Sequence, residues 1–211
     1  SKGFMISFEV KNEDDVWSLI PPENLWLTDK LLLSRHLGYD CGPTGVDVSI
    51  PGWYISRPCV NALGLGLGAK KVWLDHDTTF LPLGFFWCQW FEGKHYSVDW
   101  WPEYKTKAYT CQGVKDKETL VKWKKWVRVP NNSEQWYPES LHYILKRYKQ
   151  VNIEYIGNKI IEIHLRPNED FQDSNIQEFI PVWVGDDTTP PKGYRYIHSP
   201  EYNGRIGAFI K

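Results

Sequence analysis

Glu154, Glu162, His164 and Arg166 are the residues of this chain whose types and spacing best suit catalytic chemistry. Residues 160–168 alternate, with Ile161, Ile163 and Leu165 set against Glu162, His164 and Arg166. Successive side chains on a strand point to opposite faces. A carboxylate, an imidazole and a guanidinium therefore share one surface, and the other surface is core. An acid two residues from a nitrogen ligand and four from a permanent cation suits a Mg²⁺–phosphate complex. A solvated strand face carries the same pattern, and the alternation alone does not separate the two.

The preceding segment forms the other arm of a hairpin. Asn152 and Glu154 make its polar face, and Val151, Ile153 and Tyr155 its apolar one. Matching polar to polar places Glu154 opposite Glu162 and Ile156 opposite Ile160, with residues 157–159 as a three-residue loop. Cross-strand partners lie ~4.5–5.5 Å apart at Cβ. Two carboxylates that close repel unless a cation, a lysine or a shared proton lies between them. Without such a partner, neutralising Glu162 should relieve strain. Mg²⁺ takes one or two carboxylates plus substrate phosphates.

The elements that must position these groups are mostly strands. Residues 15–20 are short and apolar, and Pro21-Pro22 stops them. Thr28 reads as the cap of a helix over 29–37 that ends at Gly38, and residues 42–45 read as a turn. Strands are expected at 52–58, 71–74, 85–91, 95–101, 105–113 and 119–129. A helix is expected over 138–150, with Leu141, Ile144, Leu145 and Tyr148 on one stripe. Short strands follow at 181–184 and 205–210. Strands outnumber helices, so the class is α+β with mostly antiparallel sheet.

At 211 residues the chain fits one domain or two small lobes. Lys+Arg 25 against Asp+Glu 26 gives a net charge of −1, so no global pull toward nucleic acid or membrane is present. A local basic patch remains at Lys122, Lys124, Lys125 and Arg128. No run reaches the ~18 apolar residues of a membrane span, and no signal-peptide pattern opens the sequence. Cys41, Cys59, Cys88 and Cys111 have no zinc spacing, which suggests free thiols in a reducing cytoplasm. The sole methionine, Met5, reads as the native start, with residues 1–4 as a cloning remnant. Twelve tryptophans are a heavy load. Core packing accounts for them, and so does an aromatic ligand platform.

Gly64, Gly66 and Gly68 alternate with leucines, so backbone amides there can approach an anion without obstruction by Cβ. No Gly-Lys-Ser/Thr follows and no helix follows, which excludes a Walker loop and a dinucleotide fingerprint. A glycine hairpin over phosphates and a plain loop both fit.

Taken in order, these features resemble the ATP-grasp superfamily over residues 27–168. Asp29-Lys30 matches a helix whose lysine reaches the nucleotide phosphates. Arg57-Pro58 matches a strand ending in Lys-Pro, and residues 64–68 match the glycine-rich hairpin. Residues 88–99, Cys-Gln-Trp-Phe-Glu-Gly-Lys-His-Tyr-Ser-Val-Asp, match the adenine hinge, and Glu154 with Glu162-Ile163-His164-Leu165-Arg166 matches the metal hairpin.

The resemblance implies two small lobes with a nucleotide cleft between them. It divides the chain into an N-terminal extension (1–26), the grasp core (27–168) and a C-terminal tail of short strands (169–211). It implies ATP with Mg²⁺, and an acyl phosphate made from a carboxylate and attacked by an amine or similar nucleophile. Lys30 and Arg57 would hold the α- and β-phosphates, beneath Gly64, Gly66 and Gly68. Backbone groups of Gln89 and Phe91 would read adenine, with Trp90 beside the pocket. Glu154, Glu162 and His164 would hold the metal, Arg166 would stabilise the transferred phosphoryl group, and Arg128 would take the acceptor carboxylate.

The sequence departs from the family at several points. His95 stands where an acid usually holds the ribose. His164 replaces a metal-binding Asn, which leaves room for Mn²⁺. Against the resemblance, these 211 residues hold no match for the large domain that often precedes the grasp fold, and the expectation is that a partner protein or the tail would bind the acceptor. So small a core suits a viral or otherwise compact genome. A degenerate nucleotide-binding protein without turnover, and a non-enzymatic aromatic binding module, are the alternative readings.

Overall fold

The computed structural model describes residues 9–11, 13–61, 68–115, 120, 122–132, 134–201 and 204–211. Gly64 and Gly66 lie outside them, as do Met5 and the residues before it; Gly68 lies inside. The first helix, α1 (Glu13–Leu19), is followed by a 3-10 turn (Pro22–Thr28) that starts on the second proline of the expected stop. Helix α2 (Lys30–His36) opens on Asp29, whose carboxylate accepts from the amides of Leu31 and Leu32. The Thr28 hydroxyl instead donates back to the Leu25 carbonyl, so the cap falls one residue later than expected.

Strands β1 (Cys41–Pro43), β2 (Gly52–Pro58), β3 (Lys70–Leu74) and β4 (Phe85–Gln89) form a small sheet in the order β1-β4-β2-β3. Gly42 and Pro43 thus belong to a strand and not to a turn. The large sheet begins with β5 (His95–Trp101), β6 (Thr106–Lys115) and β7 (Trp123–Val129). Helix α3 (Glu139–Leu145) leads into β8 (Val151–Ile156) and β9 (Lys159–His164). The tail adds β10 (Glu178–Trp183), β11 (Arg195–His198) and β12 (Arg205–Ile210). The eight strands run β11-β12-β10-β7-β6-β5-β8-β9, so the tail extends the large sheet. Every strand pairing among the described residues is antiparallel. The architecture is α+β, with two mostly antiparallel sheets.

The main core joins α1, α2 and α3 to the apolar faces of β5, β8 and β9 through Val16, Leu27, Leu33, Leu141, Ile153 and Ile163. Helix α3 stops five residues short of the expected end. Tyr148 is buried there, its hydroxyl accepting from Asn24, and the chain turns at once into β8. Helix α2 touches β1, β4 and β9, and its first amide donates to the Cys59 carbonyl just past β2, 2.7 Å away. That anchor sets Lys30 beside Arg57 at the mouth between the sheets.

Candidate functional site

The hairpin β8–β9 pairs Glu154 with Glu162 as the sequence predicts, but by a different route. Ile156 pairs with Lys159 and Tyr155 with Ile160, so the turn has two residues, Gly157 and Asn158. A bulge at Ile161 then restores the register. Ile160 and Ile163 face the core, while Ile161, expected there, borders the cleft. The extra residue keeps both acids on one face despite the shorter turn.

Nε2 of His164 lies 3.5 Å from Oε1 of Glu154 and 3.5 Å from Oε1 of Glu162. One donor atom from each of the three residues falls within 4.8 Å of the others, so they fit a single ion. Each carboxylate has outside support. Oε2 of Glu154 bonds Nε2 of His95 at 2.7 Å, and Oε1 of Glu162 accepts from Nδ2 of Asn61 at 2.5 Å. Lys30 Nζ and Arg57 Nη1 each stand 3.8 Å from Glu162, and Lys30 also donates to Oδ1 of Asn61 at 2.6 Å. The repulsion expected of the facing acids is therefore offset by the protein's own cations.

These contacts set the protonation of the group. Burial pushes the Glu154 carboxyl up, but hydrogen bonds from His164 and His95 outweigh it and hold it well below the usual range. Burial also opposes the Glu162 charge, and Lys30 with His164 overcomes it, so this carboxyl too lies low. Burial pulls the His164 imidazole down, yet Glu162 and Glu154 raise it above its ordinary value.

The signs give a testable pH profile. Raised His164 stabilises the fold fully below its ordinary value of 6.5, and that contribution is lost as pH rises through the folded value. The lowered acids contribute above their ordinary 4.5 and lose it as pH falls through their folded values. Metal-free protein should thus melt highest between 4.5 and 6.5, with a fall on the alkaline side that His164→Asn flattens. Melting curves in chelator across this range check it; identical slopes for variant and wild type would detach His164 from the acids.

Behind the acids, β5 and β8 carry a buried polar network. Asn152 donates to Oδ1 of Asp99 at 2.7 Å and to Ser97 at 2.8 Å, and Gln150 donates to Oδ2 of Asp99 at 2.7 Å. The Asn168 amide also donates to Asp99, which fixes the chain just after Arg166. Burial pushes the Asp99 carboxyl up against these bonds.

Two compartments of one cleft meet at Arg57, Ala69, His95, Leu120 and Ile161. The first, about 330 Å³, holds Lys30, Glu154, Glu162, His164 and Arg166. The second, about 310 Å³, is more apolar, lined by Ile55, Cys88, Gln89, Trp90, Phe91 and Ile160. At the junction Nε of Arg57 and Nδ1 of His95 are buried without a hydrogen-bond partner among the described residues. Such orphaned polar atoms fit a polar ligand that spans both compartments.

Most expected site residues converge here: Lys30, Arg57, Gln89, Trp90, Phe91, His95, Glu154, Glu162, His164 and Arg166. Gly68, with φ +86°, sits beside Ala69 at the junction. The backbone amide of Gln89 is spent on the Asp40 carbonyl, so it does not face a ligand. Trp90 donates to Glu92, with Lys71 4.4 Å above its ring. Arg128 does not join the others. Its guanidinium donates to the carbonyls of Ile176, Phe171 and Asp173 and stacks 4.4 Å from the Tyr109 ring, in a separate cavity of about 490 Å³. Its charge is committed to carbonyls that its neighbours on β7 do not reveal.

Sequence reasoning missed Asn61, which bridges Lys30 and Glu162. It also missed the far wall built by Trp123, Trp126, Asp170, Trp183 and Arg205. Packing explains fewer tryptophans than expected: Trp87 and Trp100 are buried, while Trp17, Trp53, Trp73, Trp101 and Trp136 are exposed. Gly113 on β6 was a readable signal, because a Cβ there would meet Trp123 at 2.6 Å and Trp126 at 3.0 Å. Its missing side chain lets both indoles lie on the sheet against His95, with ring centroids 4.5 and 5.5 Å away.

No protein-family model and no curated protein matches the chain. Solved structures do. An L-amino acid ligase from Bacillus licheniformis superposes with a TM-score of 0.53 at 8% identity, over 94% of this chain and 71% of that one. A protein assigned to the ATP-grasp superfamily from Archaeoglobus fulgidus gives 0.45 at 12% identity, over 88% and 64%. The ATP-grasp ligase PsnB, solved with a minimal precursor, gives 0.40 at 10% identity, over 70% and 54%. The chain thus spans about two-thirds of the archaeal protein and about half of PsnB. The likeness to the Bacillus ligase extends over 94% of this chain, and what it shows is the fold: the chain has an ATP-grasp fold.

Proposed function

We propose that this chain binds a Mg-nucleotide across the two compartments and works as an ATP-dependent ligase, activating a carboxylate for attack by an amine or related nucleophile. The observation that carries the reading is the junction. An apolar compartment at the expected hinge opens, past Arg57 and His95, into one that holds a metal-ligand trio and several cations. Phosphoryl transfer needs positioning and charge neutralisation, and this cleft is built for both.

Lys30 and Arg57 present two cations to the nucleotide phosphates, held in place by Asn61, Glu162 and the Ile161 carbonyl. Glu154, Glu162 and His164 would hold the divalent ion, which supplies Lewis-acid neutralisation of the transferred phosphoryl oxygens when bound. Arg166, whose Nη1 donates to the Pro167 carbonyl, faces the same compartment and stabilises charge on the acyl phosphate. The segment after β9 walls the far end with Asp170, Trp183, Glu201 and Arg205, and the acceptor binds there. Residues 27–168 are then the grasp core, and 169–211 complete the acceptor side. Among the described residues no helix is long and apolar enough to cross a membrane, and the four cysteines are free thiols, as a cytoplasmic enzyme would have them.

A second reading keeps the nucleotide and drops turnover. It is favoured by Lys30, whose ammonium is already engaged by Asn61 and Glu162. One experiment addresses both. A nucleotide at ~100 times its dissociation constant adds about 2.7 kcal/mol, which raises the melting temperature by roughly 5–10 °C in a domain of this size. ADP or a non-hydrolysable ATP analogue with Mg²⁺ should produce that rise. Candidate carboxylates should then stimulate phosphate release. A rise without release selects the binding protein, and no rise removes both readings.

A further inference from the structure

We propose that the Glu154–Glu162–His164 centre selects a first-row transition dication, Mn²⁺ through Zn²⁺, over Mg²⁺, and takes it up before any nucleotide arrives. The inference deepens the reading above by naming the metal class of the same site. Mg²⁺ demands hard oxygens in near-octahedral array and is usually held by one or two carboxylates only with help from phosphates and waters. An imidazole nitrogen contributes little to Mg²⁺, somewhat more to Mn²⁺, and most to later ions such as Co²⁺ or Zn²⁺. Here the imidazole stands at the centre of the donor set, with Nε2 3.5 Å from an oxygen of each carboxylate. Donors ~2.1 Å from one ion lie about 3 Å apart at right angles, so a small closure suffices.

The ligands are also braced from outside. His95 fixes Glu154 and Asn61 fixes Glu162, the kind of support that raises metal affinity by orienting its ligands. His95, 8% exposed, spends its Nε2 on Oε2 of Glu154, which leaves Oε1, the oxygen 3.5 Å from His164, to face an ion. Lys30 and Arg57, each 3.8 Å from Glu162, oppose any dication by simple Coulomb repulsion. A purely electrostatic Mg²⁺ bears that opposition in full. A transition ion offsets it through its bond to nitrogen, and the selectivity comes from that difference.

The test is a titration of the metal-stripped full chain with MnCl₂, without nucleotide, following the electron paramagnetic resonance signal of free Mn²⁺. The expected result is loss of signal for about one equivalent, retained in millimolar Mg²⁺. His164→Asn, checked for native circular dichroism, should weaken Mn²⁺ binding by about tenfold or more, the scale on which metal sites respond to their ligands and supports. An undiminished Mn²⁺ signal overturns the inference. So does release of Mn²⁺ by equimolar Mg²⁺, a measurement that needs no variant, or a folded His164→Asn that binds Mn²⁺ as wild type does. A Mg-nucleotide thermal shift without nucleotide-free Mn²⁺ binding would sink this inference and leave the nucleotide reading intact. Mn²⁺ binding without any nucleotide response would do the reverse.

Discussion

Replacing Glu162 by Gln is expected to cost the metal-free protein about 3 kcal/mol, near the lower end for removing one partner of a buried ion pair. The same change should abolish metal-dependent stabilisation by nucleotide. Sequence alone suggests the opposite sign for the first effect, because a neutral residue facing Glu154 relieves repulsion. The structure reverses it. Lys30 is 1% exposed and Arg57 is largely buried, and Glu162 is the carboxylate within 4 Å of both. Gln keeps the shape and can still accept from Asn61, so the loss is one of charge, felt by two cations that are largely shielded from water. Urea unfolding in chelator measures it as a fall in midpoint at unchanged slope. Unchanged stability would mean that Lys30 and Arg57 are neutralised elsewhere.

The pairing of Glu154 with Glu162 was legible because alternation ties each face to burial, and only one register puts both acids outside the core. The turn length was not. Ile160 and Ile161 are both apolar, so the sequence cannot say which is the extra residue, and a bulge shortens the loop without moving the acids. The helix at α3 is readable at its start and unreadable at its end, since the stripe continues to Tyr148 while sheet pairing claims the chain by Val151. Thr28 and Asp29 are both good caps, and only the amides of Leu31 and Leu32 decide between them. The far wall of the cleft was hidden for a plainer reason. Arg205 forks onto Asp170 at 2.9 Å through both terminal nitrogens across 35 residues of sequence, and no local period marks such a pair. The tryptophans show the same limit: residue type predicts area, not the side on which it lies.

Arg57→Ala is expected to weaken binding of an ATP analogue by about 10- to 100-fold, because hydrogen bonds to charged groups contribute ~1.5–3 kcal/mol. Arg57 sits on β2 of the small sheet, yet its Nη2 donates to the Ile161 carbonyl on β9 of the large one, at 2.5 Å. Its Nη1 stands 3.8 Å from Glu162, and its guanidinium lies 5.5 Å from the Phe86 ring centroid. One side chain thus ties the two sheets across the cleft and places a permanent charge where the compartments meet. Burial lowers its pKa, but from so high a start that it stays charged. Alanine should therefore lower the melting temperature as well as the affinity. Arg57→Lys separates the two effects: it restores a cation for phosphate but not the fork that holds the Ile161 carbonyl. Affinity should recover in part while stability stays low. A cross-sheet tie with no part in nucleotide binding would show a different signature, with Ala, Lys and wild type binding a fluorescent ATP analogue alike at a temperature where all three are folded. Equal affinities in that titration would remove Arg57 from the site and leave it as the strap between the lobes.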